Sequence, residues 1–187
     1  MAINYGFNPE GGSLNFTFNT HDSHSLLFED ITLVKTGKRV KDGFFLRAES
    51  FYNVASYLDG IVGDSYMDLS EYGDRSLHEQ SHGESFYNVI ANRFRGKGLY
   101  ILDEPEAALS PQRQLALMVI LEELIQDGSQ FLIVTHSPIL LAMRNSIIYS
   151  FDNDYISEIK YEETEPYKIT KMFIENKDNI LDKLFNK

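Results

Sequence analysis

The stretch Leu99-Tyr100-Ile101-Leu102-Asp103-Glu104-Pro105 decides how this chain folds. Its apolar run is typical of a buried parallel strand, and two adjacent carboxylates follow the run directly. In open α/β sheets, ligands bind outside the carboxyl ends of the strands. We therefore predict that Asp103 binds Mg²⁺ and that Glu104 polarises an attacking water, as nucleotide hydrolysis requires. The alternative is a strand that simply runs into an acidic turn.

A second stretch, Phe131-Leu132-Ile133-Val134-Thr135-His136, has the same form one strand–helix unit later. Pro111 opens the helix that is predicted between the two strands. Because parallel strands end at the same edge of a sheet, His136 is predicted to lie near the two carboxylates, where it could contact a γ-phosphate or the attacking water. Strands that alternate with helices predict an α/β fold with a parallel sheet.

Further elements are predicted outward from these two strands. Residues 14–18 and 31–34 have the pattern of half-exposed strands, and residues 43–47 form a more apolar one. Amphipathic spacing predicts a helix that begins near Gly83. Toward the end of the chain, we predict a hairpin over residues 146–161 and two closing helices at 166–174 and 180–185. No linker interrupts the pattern, so residues 1–187 are predicted to form a single domain.

The composition restricts the classes of function. The chain has 187 residues and a formal net charge of −11, which does not favour DNA or an anionic membrane as a partner, although a local basic patch would still allow DNA. It has no cysteine, which excludes disulfide scaffolds, thiolate zinc sites and cysteine nucleophiles. No apolar run is long enough for a membrane span, and no leader pattern is evident, so a cytoplasmic location is predicted.

A loop rich in serine and histidine precedes the predicted helix at Gly83. Its residues His78-Glu79-Gln80-Ser81-His82 match the H-E-x-x-H pattern of zinc hydrolases. That pattern requires both histidines inside one helix and a third ligand, whereas here the helical spacing begins only after His82. The competing interpretation is a Ser-x-Gly-Glu loop at a helix N-terminus, where backbone N–H groups and the helix dipole favour a phosphate.

Four segments in order resemble the motifs of an ABC-type ATPase head. Ser81-His82-Gly83-Glu84-Ser85 resembles the signature loop, and Leu99 to Glu104 resembles the Walker B strand. Pro105-Glu106-Ala107-Ala108-Leu109-Ser110 resembles the D-loop, and Thr135-His136 resembles the switch histidine. Their order and spacing are similar to the bacterial AAA-family predicted ATPases that are related to RecF- and SMC-like heads. This resemblance implies a P-loop NTPase fold with helices flanking a mostly parallel sheet.

The resemblance implies a role for each matched residue, with ATP and Mg²⁺ as cofactors. Asp103 would help to bind Mg²⁺, Glu104 would be the general base, and His136 would position the γ-phosphate and the water. Heads of this family enclose two ATP molecules in a head-to-tail dimer. Ser81 and Gly83 would therefore contact the ATP that the opposing subunit holds.

Three more positions carry weaker implications. Glu84 lies in the same cofactor-binding loop as Ser81 and Gly83. Ser110 stands where many relatives have Asp, which puts the polar contact of the D-loop across the dimer in doubt. No Gln occupies the position of the family's Q-loop, where the strand ending in Arg47-Ala48-Glu49 offers Glu49 instead, with a purely structural role as an equal alternative.

One motif of the family does not occur in this sequence. Walker A, G-x-x-x-x-G-K-[ST], supplies the amides and the lysine that surround the phosphates, and neither Gly37-Lys38 nor Gly96-Lys97 fits it. In relatives, Walker A and its helix precede a segment like Ala2-Ile3-Asn4-Tyr5, so we expect that the chain is truncated and lacks the first strand and the P-loop. Alternatively, a partner chain supplies Walker A, or the chain is a non-hydrolysing interaction and dimerisation module. A zinc hydrolase at His78 and His82 is the remaining alternative.

Overall fold

The computed structural model describes residues 1–14, 26–34, 40, 42–51, 53–56, 81–152 and 155–185. These residues form two compact units, 1–135 and 136–187, and each is described by itself. The predicted motifs up to Thr135 lie in the first unit, and His136 is the first residue of the second.

Within its described residues, the first unit is built on a four-stranded sheet. Its strands are β1 (Gly12–Ser13), β2 (Asp42–Arg47), β3 (Gly98–Asp103) and β4 (Gln130–Val134), in the order β1-β2-β3-β4. The short β1 pairs antiparallel with β2, whereas β2, β3 and β4 are parallel. The prediction of an α/β fold with a mostly parallel sheet is therefore confirmed.

The two central strands carry the core of this unit. Phe44 and Leu46 of β2 and Tyr100 and Leu102 of β3 are fully buried, and the residues between them are also buried or nearly so. A strand that is buried on both faces needs a continuous apolar run rather than alternation. The sequence of each strand has such a run, which is why the sequence predicted both of them.

Two long helices flank the sheet in this unit, α2 (His82–Arg93) and α3 (Pro111–Gln126), after the short α1 (Ala2–Tyr5). The helix α2 buries Phe86, Val89 and Ile90, which recur at helical spacing and pack into the core. The helix α3 buries Leu117 and Leu121. Pro111 is at its first position, as predicted, because proline there loses no helical hydrogen bond.

Two further strands were predicted near the N-terminus, at residues 14–18 and 31–34. Residues 31–34 have no regular structure, so the strand predicted there is wrong. A β-branched run alone does not form a strand, because a strand needs a neighbour for its hydrogen bonds. Of the strand predicted at 14–18, only Leu14 is described, and it lies in a turn.

The second unit contains a short helix, a hairpin and a long helix. They are α4 (Pro138–Leu141), the antiparallel strands β5 (Ile148–Ser150) and β6 (Ser157–Ile159), and α5 (Glu165–Phe185). Tyr161 donates a hydrogen bond of 2.9 Å to the carbonyl of Pro138 and so ties the start of α4 to the segment before α5. The two predicted closing helices form one helical stretch with non-helical backbone angles at Asn176.

No helix in the described part of the chain is both long enough and apolar enough to cross a lipid bilayer. The longest one, α5, carries charged side chains along its length.

Candidate functional site

The carboxyl ends of three parallel strands meet at one edge of the sheet in the first unit. The register pairs Arg47 of β2 with Asp103 of β3, and Asp103 with Val134 of β4. Glu104 follows Asp103, and its backbone N–H donates to the carbonyl of Val134 at 2.9 Å. The predicted carboxylates therefore lie beside the end of β4, as the parallel arrangement requires.

Asp103 is paired with an arginine of the neighbouring strand. The Nε of Arg47 donates to Oδ2 of Asp103 at 3.0 Å, and the guanidinium also forms an ion pair of 3.0 Å with Glu49. Among the described residues, the Asp103 side chain forms no other hydrogen bond or ion pair, so its second oxygen remains available. The sequence placed Arg47 near the Q-loop position but gave no signal for this contact.

Glu104 has an unusual backbone conformation. Its φ of 48° and ψ of 50° lie in the left-handed region, which costs a residue with a Cβ about 1–2 kcal/mol. The side chain is exposed, and Glu104 precedes a short 3₁₀ turn, Pro105–Ala107, whose proline is buried. Glu104 therefore lies between the end of β3 and a turn that is anchored by a buried proline.

The D-loop segment is attached to the end of β4. The hydroxyl of Thr135 donates to Oε2 of Glu106 at 2.7 Å. Glu106 was part of the D-loop resemblance but was not singled out as a site residue, because a single glutamate in a turn carries no signal by itself. The contact couples the segment after β3 with the segment after β4.

The signature loop packs against the D-loop of the same chain. Ser81 is the N-cap residue of α2, and its side chain makes no capping hydrogen bond; its hydroxyl lies 3.4 Å from Oε2 of Glu84. A Cβ at Gly83 would overlap the carbonyl oxygen of Ala108. Glycine at this position therefore allows the start of α2 to approach the backbone of the D-loop closely.

Ser110 caps a helix in this structure. It is the N-cap residue of α3, and its hydroxyl accepts from the backbone N–H of Arg113 at 3.4 Å. This position explains a serine at the start of α3 without any ligand. Its predicted contact with a cofactor stays a prediction.

His136 begins the second unit, and its side chain is exposed. It directly follows Thr135 in the chain. Its predicted position beside Glu104 stays a prediction.

The residues at the sheet edge fit Mg²⁺ in one particular way. Among the described residues, no group of three or more histidines and carboxylates could hold a metal by itself. Mg²⁺ in nucleotide sites needs only one or two carboxylates, because substrate phosphates and water supply the other ligands. Asp103, with one unpaired oxygen, suits that kind of site.

The alternative of a zinc hydrolase involves residues only partly described. His78 lies outside the described residues, and α2 begins at His82 with the extended Ser81 as its N-cap. The H-E-x-x-H geometry needs both ligands on one helix. The zinc assignment stays a prediction that this helix start does not favour.

The opposite, amino end of the sheet holds a polar cluster that the sequence did not signal. Arg93 of α2 forms a bidentate pair with Asp42 at 2.8 and 3.0 Å, and the hydroxyl of Tyr100 lies 2.8 Å from the same carboxylate. Burial raises the pKa of Asp42, but the hydrogen bonds from Arg93 and Tyr100 outweigh it and hold the pKa below its usual value. Burial, with the adjacent Asp42 charge, raises the pKa of Tyr100 well above its usual value.

Comparison with known proteins agrees with the motifs. Residues 65–142 match a family described as "AAA domain, putative AbiEii toxin, Type IV TA system". This range includes the signature loop, the acidic strand end, the D-loop and the switch histidine. No solved structure matches this chain.

Several curated proteins are similar over part of the chain. A macrolide export ATP-binding/permease protein, MacB, of Campylobacter jejuni is 27% identical over 115 residues, which are 61% of this chain and 18% of that protein. A "Putative ABC transporter ATP-binding protein" of Methanosarcina acetivorans is 39% identical over 71 residues, 37% of this chain and 26% of that protein. The nucleoside import ATP-binding protein NupA of Lactococcus lactis is 27% identical over 116 residues, 60% and 22% respectively. The chain thus spans about a quarter or less of the length of these relatives.

Proposed function

We propose that this chain, which is similar to ABC and AAA ATPase domains over part of its length, binds ATP with Mg²⁺ and hydrolyses it as part of an ABC-type head that dimerises around the nucleotide. One observation carries the proposal. The acidic end of β3, the end of β4 and the D-loop converge at one sheet edge, with Glu104 bonded to Val134 and Glu106 bonded to Thr135.

In the proposed site, Asp103 is the protein's ligand for Mg²⁺. Its unpaired carboxylate oxygen is at the edge where ligands bind in open α/β sheets. The metal, when bound, neutralises the charge that develops on the phosphates. The contribution of Asp103 is to hold one ligand oxygen in a fixed direction, since its other oxygen is bound by Arg47.

Glu104 is the proposed general base. Its side chain is exposed at the same edge, directly after the metal ligand, and so can accept a proton from a water that attacks a phosphate held there. His136, two residues after the end of β4 at Val134, is proposed to orient the γ-phosphate and this water. The buried Pro105 supports the turn that orients Glu104.

The surface around the start of α2 is the proposed dimer contact. Ser81, Gly83 and Glu84 would face the ATP held by a second copy, together with Ser110 of the D-loop. The support is local: the side chain of Ser81 makes no capping hydrogen bond to the start of α2, and N–H groups at a helix start can bind phosphate oxygens. The close packing of Gly83 on Ala108 joins the signature loop and the D-loop into one surface.

We also propose that the machinery is incomplete without a Walker A segment from a further part of the polypeptide or from a partner chain. The sequence has no G-x-x-x-x-G-K-[ST] motif. In the described sheet, β4 is an edge strand, and its Leu132 and Val134 are 38% and 51% exposed. An edge strand with exposed apolar side chains favours pairing with another strand.

The proposal is tested by restoring the absent motif. A strand–P-loop–helix segment of a related ATPase head is joined ahead of Met1, and ATP turnover is compared with that of the purified chain. We expect negligible turnover by the chain and measurable turnover by the joined protein. Glu104→Gln should lower the turnover at least about 100-fold, because the general base is lost. Glu123→Gln, an exposed position on α3, is the control.

Two outcomes would contradict the proposal. Robust hydrolysis by the purified chain that Glu104→Gln leaves unchanged would show that Glu104 is not the base. A dimer of the joined protein that forms equally with and without Mg-ATP, measured by sedimentation, would favour the interaction module instead. The exposed apolar side chains of Ile169, Met172 and Phe173 on one face of α5 give that alternative its support.

A further inference from the structure

The guanidinium of Arg47 already binds one oxygen of the carboxylate that is proposed to bind Mg²⁺. We propose that Arg47 is a positioning residue that lowers the affinity of Asp103 for a free divalent cation, so that the metal enters the site together with phosphate groups rather than before them. This inference rests on the proposed function, because it takes Asp103 as the metal ligand.

The ion pair is held in place by the backbone of two strands. Arg47 and Asp103 are register partners on the adjacent strands β2 and β3. One residue further on, the N–H of Ala48 donates to the carbonyl of Asp103 at 3.1 Å. Because both side chains start from backbone that is fixed in the sheet, little conformational freedom is lost when the pair forms.

The degree of burial makes the pair effective against a cation. The side chains of Arg47 and Asp103 are 32% and 29% exposed, so water screens their charges less than at an open surface. A divalent cation that approaches Asp103 meets the positive charge of Arg47 within a few ångströms of its binding position. At such distances the repulsion changes cation affinity on the order of tenfold.

Phosphate groups would relieve this competition. A guanidinium binds phosphate oxygens in a bidentate manner and with high preference. The Arg47 guanidinium has N–H groups beyond those used for Asp103 and Glu49, and among the described residues these have no other partner. When a nucleotide brings its phosphates to the edge, Arg47 gains an anionic partner, and its positive charge then opposes a cation at the unpaired oxygen of Asp103 less strongly.

The test measures Mn²⁺ binding to the purified chain without nucleotide. Free Mn²⁺ is followed by electron paramagnetic resonance, and weak binding by the relaxation of water protons. We expect Arg47→Met to bind Mn²⁺ several-fold to about tenfold more tightly than the wild type, because the repelling charge is gone. Arg47→Lys should restore wild-type affinity, because it keeps the charge; a purely structural role of Arg47 would not predict this recovery.

Lys97→Met is the matched control. It removes the same charge from the residue before β3, at the opposite end of that strand and roughly 15–20 Å from Asp103. That distance exceeds the screening length of about 8 Å at physiological salt, so we expect no change in Mn²⁺ affinity. Circular dichroism and thermal melting establish that each variant is folded before it is titrated.

The outcomes separate the inference from the function on which it rests. If Arg47→Met binds Mn²⁺ no more tightly than the wild type, or shows no measurable binding, the role of Arg47 is overturned. Asp103→Asn, alone and combined with Arg47→Met, tests the metal ligand itself. If Asp103→Asn leaves the tighter binding of Arg47→Met intact, Asp103 is not the ligand, and the metal assignment of the proposed function fails.

Discussion

At each end of the parallel strands β2 and β3, an aspartate is paired with an arginine. The two pairs differ in burial and in the number of hydrogen bonds that the carboxylate accepts. At the amino end, Asp42 and Arg93 are 20% and 17% exposed and form two hydrogen bonds, with Tyr100 as a third partner of the carboxylate. At the carboxyl end, Arg47 and Asp103 share one hydrogen bond and are more exposed.

The difference indicates what each end is for. A buried charged group must be saturated with partners, because an unpaired one costs several kcal/mol. Asp42 meets that requirement and has little capacity left for a ligand. Asp103 keeps an oxygen available and faces a more exposed edge, where a metal or a phosphate can reach it. The hydrogen bonds at the amino end thus suit a structural role, whereas the carboxyl end is the site that we propose for binding.

The largest expected effect is at Asp42. Asp42→Asn removes the negative charge and leaves Arg93 half-buried without its ion pair, so we expect the free energy of unfolding to fall by about 2–4 kcal/mol in urea denaturation. Asp103→Asn is the matched variant at the other end and should cost less than about 1 kcal/mol. Equal losses at the two ends would contradict the division of roles.

The free energy of unfolding should depend on pH in the acid range, and Asp42 should be a cause of this dependence. Because the pKa of Asp42 is lowered in the folded state, its contribution to stability is present above the unfolded pKa of about 3.9 and is lost as the pH falls through the folded value. The destabilisation by Asp42→Asn should therefore shrink below about pH 4.

The next largest effect is on the free energy of unfolding at alkaline pH, to which Tyr100 contributes. Its folded pKa is raised, so the native state keeps a proton that the unfolded state releases above about pH 10. Stability should fall as the pH rises past that value, and Tyr100→Phe should reduce the slope of the fall. The exposed Tyr149 provides the control, since Tyr149→Phe should leave the slope unchanged. A slope that Tyr100→Phe does not alter would show that this hydroxyl is not protected by the amino-end cluster.

The smallest effect concerns the strained backbone at Glu104. Glu104→Gly should raise the free energy of unfolding by about 0.5–1 kcal/mol, because glycine adopts the left-handed region without a steric cost. Glu104→Ala removes the same carboxylate but keeps the Cβ, and it should not stabilise the chain. If the two variants are equally stable, the backbone at Glu104 is not strained. A gain with glycine alone would show that a residue with a Cβ is retained there at the expense of stability, as at many functional sites.

The central strands of the sheet and the helix α3 beside it could be predicted well from the sequence. The apolar runs that became β3 and β4 and the proline that opens α3 carry strong local signals. Residues 31–34 have the composition of a strand but form none, because local propensity does not supply a pairing partner. The two helices predicted near the end of the chain are separated by a kink at Asn176, where the backbone departs from helical angles.

The candidate site was predictable only in part. The adjacency of Asp103 and Glu104, and their place at the carboxyl end of a strand, could be derived from one short stretch of sequence. The contact of Arg47 with Asp103 joins residues 56 positions apart, and that of Thr135 with Glu106 joins residues 29 apart. Contacts at such separations depend on which strands are neighbours and in what register, and no short stretch of the sequence shows this locally.

The sequence by itself determined the α/β class, the order of the motifs and the chemical types of the candidate residues, because apolar periodicity and residue chemistry are local properties. Only the tertiary structure decided that Asp42 is saturated while Asp103 retains an available oxygen, and that Gly83 is required by the carbonyl of Ala108. Those properties arise from the parallel register of β2, β3 and β4 and from the packing of α2 on the D-loop. Each of these properties depends on residues that are far apart in the sequence and come into contact only in the folded chain.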